Sequence, residues 1–102
     1  MTNLDMEKAR REELRWLILK AVYAAQPVGT SEAIILNAVS TVILDATLLE
    51  IRRGIDYLAE RNLVNIVSRE PVWFVKIDWH GVDVVEYSVE CLPGIARPKK
   101  WW

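Results

Sequence analysis

Apolar positions along this chain first repeat with helical spacing and later with a period of two. Leu14, Leu17, Ile18, Ala21, Val22 and Ala25 fall at i, i+3, i+4, i+7, i+8 and i+11, one stripe of a helix. They predict a helix from residue 4 to about 26, stopped by Pro27 and Gly29. A second, short helix is predicted behind Thr30 or Ser31, either of which can cap it. Glu32 falls in its first turn, where the helix dipole favours an anion, and Ile34, Ile35, Ala38 and Val39 are its expected buried side. The β-branched run from Ser40 to Ile43 breaks that pattern and predicts a turn. Thr47 and Glu50 then have the spacing of a capping box, in which a threonine side chain and a glutamate satisfy each other's free backbone N–H groups. The third helix carries the stripe Leu48, Ile51, Ile55, Leu58 and Ala59, and Asn62 is placed to end it in a left-handed conformation.

The period changes at Leu63. Residues 63–67 and 72–77 predict two strands joined by the polar turn Ser68-Arg69-Glu70-Pro71, a β-hairpin. Asp78 can cap a last helix from Trp79 to about Val89, with Val82, Val85 and Val89 on one side, although Gly81 weakens it. From Cys91 onward, Pro93, Gly94 and Pro98 predict an extended tail. The expected division is a domain over residues 1–90 and a basic, aromatic tail over 91–102.

The stretch from Leu49 to Val64, LEIRRGIDYLAERNLV, resembles the recognition helix of winged-helix transcriptional regulators of the arsenic-repressor type, including its Leu-Val entry to the wing. The segment KIDWHGVDVVE, from Lys76 to Glu86, is similar to the entry of those regulators into the helix after the wing. The ending PGIARPKKWW resembles the tail of small regulator-like proteins encoded by Mu-like bacteriophages, which would imply a phage or prophage gene. The resemblance implies an α+β, mainly α, winged helix-turn-helix: a three-helix core, a two-stranded β-wing, a C-terminal helix and an extended tail. The chain departs from it in two ways. It has Asn62 where the family usually has glycine, and it lacks paired cysteines at the third helix, so metal sensing is not carried over.

The same resemblance implies double-stranded DNA as a partner. In a helix-turn-helix the third helix enters the major groove, where arginine can pair with guanine edges. Thr47, Glu50, Arg52, Arg53 and Tyr57 are the candidates there, with Arg69 at the hairpin tip and Lys99 and Lys100 in the tail as phosphate contacts. Charge changes that picture. The whole chain carries a net charge of -1. From Asp45 to Glu70, Arg52, Arg53, Arg61 and Arg69 stand against Asp45, Glu50, Asp56, Glu60 and Glu70, a poor phosphate clamp. The alternative is a winged-helix module that binds a protein and no DNA. Trp16, Leu19 and Tyr23 fall off the main stripe of the first helix, and with Trp79 and Tyr87 they predict a homodimer interface.

Other chemistry is expected to be absent. His80 lacks the further ligands a metal needs. Cys91 has no neighbouring base or second thiol and permits no internal disulfide, which fits a cytoplasmic protein. No phosphate-cradling glycine loop, nucleophile elbow or spaced carboxylate pair appears, so neither enzyme activity nor a cofactor is expected. No apolar run is long enough to cross a bilayer, and the N-terminus does not read as a secretory signal.

Overall fold

A computed structural model describes residues 3–102. Four helices and a three-stranded antiparallel sheet make a small α+β domain, about half of it helical. The helices are α1 (Asn3–Ala24), α2 (Glu32–Ser40), α3 (Leu48–Glu60) and α4 (Trp79–Val85); the strands are β1 (Thr30–Ser31), β2 (Val64–Ser68) and β3 (Phe74–Ile77). Among the described residues no helix is long and apolar enough to cross a membrane.

Helix α1 is the centre of the packing. It touches α2, α3, α4 and β3, so its second half must be apolar on several sides. This is why Trp16 (5% exposed) and Leu19 (0% exposed) are core residues together with Ile18 and Val22. Their position off the main stripe reflects several internal neighbours, and neither presents a surface to a second chain.

The ends of α3 follow local rules. The Thr47 hydroxyl accepts from the Glu50 N–H at 3.2 Å, and a Glu50 carboxylate oxygen accepts from the Thr47 N–H at 3.1 Å. Asn62 adopts φ +61°. That lets the Asn62 N–H reach the Ala59 carbonyl at 3.0 Å and the Leu63 N–H reach the Leu58 carbonyl at 3.0 Å, the paired closure of a Schellman cap. Ile51, Ile55 and Leu58 are fully buried between these caps.

The sheet differs from the expected two-stranded wing. Its order is β1-β3-β2, with Thr30 opposite Val75 and Ser31 opposite Phe74. The hairpin strands run 64–68 and 74–77, with a bulge at Val67, so the connection is wider than the predicted four-residue turn. Helix α2 buries half of its expected side, Ile35 and Val39, whereas Ile34 and Ala38 are exposed. Helix α4 ends at Val85, four residues early, and buries Val84 while Val89 lies on the surface. Tyr87 takes φ +61° just beyond it. The Arg97 guanidinium donates to the Val84 carbonyl at 2.9 Å and the Val89 carbonyl at 3.0 Å, tying the tail to the end of α4.

Residues 91–98 lie back across the helices. The Ala96 N–H donates to the Glu12 carbonyl at 3.1 Å, the Tyr87 hydroxyl donates to the Pro98 carbonyl at 2.7 Å, and Cys91 and Ile95 pack against the core.

Candidate functional site

Two of the five cations expected to contact DNA, Arg52 and Arg69, are engaged inside the domain. Arg52 grips Glu32 with two bonds, Nη2 to Oε1 at 2.6 Å and Nε to Oε2 at 3.2 Å. Glu32 is 3% exposed, and its Oε2 also accepts from the Trp73 N–H at 2.9 Å. A buried carboxylate without a cation would be costly, so this pair is structural. Arg52 and the Trp73 N–H together hold the Glu32 carboxyl below the usual carboxylate range, Arg52 making the larger contribution. The Arg52 guanidinium also lies 5.4 Å from the Trp73 ring centroid.

Glu50 is committed in the same way. Besides capping α3, it accepts from Arg10 Nε at 2.8 Å and from Nη2 at 3.1 Å, while Arg10 Nη1 donates to Asp45 at 2.9 Å. Bonding to Arg10 lowers the Glu50 carboxyl, and bonding to Glu50 and Asp45 raises the Arg10 guanidinium. At the hairpin, Arg69 donates to Asp56 at 2.9 Å and stacks 4.3 Å from the Trp73 ring. Tyr57 lies between two guanidinium groups, Arg15 and Arg61, each 3.5 Å from its ring centroid. Thr47 is used in the cap. Of the five candidates on the third helix, only Arg53 is exposed and makes no hydrogen bond or ion pair among the described residues. It lies toward α1, in a hollow with Arg11 and Arg15.

Lys99 and Lys100 are exposed, but the tail sets them beside Tyr87 and Trp102 at the end of α4; the Tyr87 and Trp102 ring centroids are 4.9 Å apart. Of the expected dimer residues outside the core, Trp79 is largely exposed, Tyr87 is half-buried by the tail, and the Tyr23 hydroxyl bonds the Glu86 carboxylate. That bond raises the Tyr23 hydroxyl above its ordinary value.

The most conspicuous surface was read from the sequence as core and turn. Residues 33–44, AIILNAVSTVIL, contain no charge, and Ile34, Val42 and Leu44 are all exposed there, Leu44 to 86%. Leu49, in the first turn of α3, continues the exposed aliphatic run. Large apolar side chains exposed on a small domain are candidates for an interaction surface. A signal was available for the helical part: Ile34 and Ala38 lie four residues apart, beside Ile35 and Val39.

The Cys91 thiol is half-buried beside His80 in a hollow of about 50 Å³, and burial pushes its pKa up, away from a reactive thiolate. Among the described residues no three His, Cys, Asp or Glu side chains gather as a metal site. Comparison with protein-family models, curated proteins and solved structures finds no match to this chain.

Proposed function

We propose that the domain is a winged-helix-type protein-interaction module that pairs with a second copy of itself through the surface from α2 into the start of α3. The observation carrying this reading is the uncharged run 33–44, with Ile34, Val42 and Leu44 held out in solvent. Removing the aliphatic side chains from water would drive the contact of two copies, with Asp45 beside Leu44 neutralised by Arg10. The internal neutralisation of Arg52 and Arg69 supports the same reading, because it removes two of the cations a DNA-binding domain would use.

A second reading, duplex DNA binding by α3 with the hairpin as a wing, is favoured by the order of elements: two helices, a turn, a third helix and a hairpin. One set of measurements separates them. Light-scattering mass is compared for the wild type, Leu44→Asp and Leu49→Lys, with circular dichroism to confirm folding. Each protein is then titrated into a random-sequence duplex at low salt. A dimeric wild type with monomeric folded variants supports pairing. A wild type that stays monomeric at high concentration, or variants that stay dimeric, overturns it. Salt-dependent duplex binding would move the conclusion to the second reading.

A further inference from the structure

The hollow between the first half of α1 and α3 has a volume of about 240 Å³ and is lined by Arg10, Arg11, Arg15 and Arg53. Two acids, Glu7 and Glu50, share the lining, and Asp45 also bonds Arg10, so the arginines outnumber the acids around them by one. Arg10 and Glu50 neutralise each other through their paired bonds. Arg11 and Arg53 make no hydrogen bond or ion pair among the described residues, and Glu7, four residues from Arg11, does not engage it. Arg15 spends one donor on the Gly94 carbonyl at 2.9 Å and stacks on Tyr57. Burial and the like charges of Arg11 and Arg61 press against the protonation of its guanidinium. Gly54, which lines the hollow, is where α3 comes closest to Ile18 of α1. Gly54 has no Cβ, and one placed there would come within 2.4 Å of Ile18 Cδ1.

Unopposed guanidinium groups facing one concave space form a site for a multiply charged oxyanion, since each presents a planar fork of donors matched to carboxylate or phosphate oxygens. We infer that the α1–α3 hollow binds a small oxyanion, a polycarboxylate or a phosphate ester, through Arg11, Arg15 and Arg53. The three guanidinium groups set the sign of the ligand's charge, and the volume limits it to a small molecule. Binding would relieve the repulsion among the arginines and staple α1 to α3. This inference is independent of the pairing surface, because none of Ile34, Val42 and Leu44 lines the hollow.

The test uses the whole chain, with pyrophosphate and citrate as separate probes and sodium chloride at matched ionic strength as control. Backbone amide signals are followed by two-dimensional NMR. Saturable movement of the Arg11, Arg53 and Gly54 signals is expected with at least one probe, and the probe that acts tells phosphate from carboxylate. Arg11→Gln and Arg53→Gln remove side chains with no partner in the domain, so both should fold, and each should weaken binding about tenfold, as the loss of a charge-assisted contact would. Signals that follow chloride equally well, or binding unchanged in both variants, would overturn the site.

Discussion

Replacing Glu32 should unpin α2, α3 and β3 from one another. Its carboxylate accepts from Arg52 Nη2, Arg52 Nε and the Trp73 N–H at 2.6, 3.2 and 2.9 Å, and its own N–H donates to the Trp73 carbonyl at 2.9 Å. In Glu32→Gln the shape is kept, but the amide can offer one oxygen where the carboxylate offered two, and its NH₂ would face donors. Removing one member of a buried ion pair costs about 3–5 kcal/mol when the other charge stays buried. Arg52 is 40% exposed and can rehydrate, so about 2 kcal/mol is the better expectation, mostly for the Trp73 N–H and the lost acceptor. For a domain of this size that lowers Tm by roughly 8–16 °C. The pH dependence follows from the direction of the shift. The folded carboxyl titrates below its unfolded value, so its contribution is complete above the unfolded pKa and is lost as pH falls through the folded one. Thermal melts by circular dichroism at neutral and strongly acid pH should therefore show the gap between wild type and Glu32→Gln closing in acid. Glu50 shifts in the same direction, so Glu50→Gln serves as the comparator. A neutral-pH Tm unchanged by Glu32→Gln, or a gap that persists in acid, would refute the reasoning.

Three further substitutions probe the frame. Gly81→Ala places a Cβ 2.1 Å from the Leu63 carbonyl oxygen, a backbone atom that also receives the Asp78 N–H, so α4 must move off the sheet. After the gain in helix propensity, a loss of about 2 kcal/mol is expected in urea unfolding. Asn62→Gly relieves a left-handed backbone and should raise the urea midpoint by the equivalent of about 0.5 kcal/mol with no change in slope. Thr47→Ala removes half of the capping box and should cost about 1 kcal/mol in the same assay, with the Glu50 carboxylate still holding the residue 47 N–H.

What could be read in the sequence was mostly what is local. The capping box and the Asn62 turn involve residues within five positions of one another, so their spacing reports their geometry. The hairpin announced itself by its change of period. Strand β1 did not, because two residues have no period to measure and it forms only by pairing with β3, more than forty positions away. Gly81 was readable only as a helix-weakening residue; that it admits the Leu63 carbonyl depends on where the strand before it runs. Trp16 and Leu19 misled because periodicity separates inside from outside only for a helix covered on one side, and α1 is covered by three helices and a strand.

The charges were counted correctly in sequence, but a count treats each one as free. Arg52 meets Glu32 across 20 positions, Arg10 meets Glu50 across 40 and Arg69 meets Asp56 across 13, and these pairings decide which cations remain available. They are not equally committed. A phosphate could recruit Arg69 cheaply, because both it and Asp56 are about half exposed and an exposed pair contributes little. It could not recruit Arg52 on the same terms, because Glu32 would be left ionised and buried with one backbone donor. Any nucleic-acid contact by this domain would therefore rest on Arg53, Arg69 and the lysines of the tail rather than on Arg52. Substituting Arg52 would then disturb DNA binding only as far as it disturbs the fold, whereas Arg53→Gln would affect binding without touching stability.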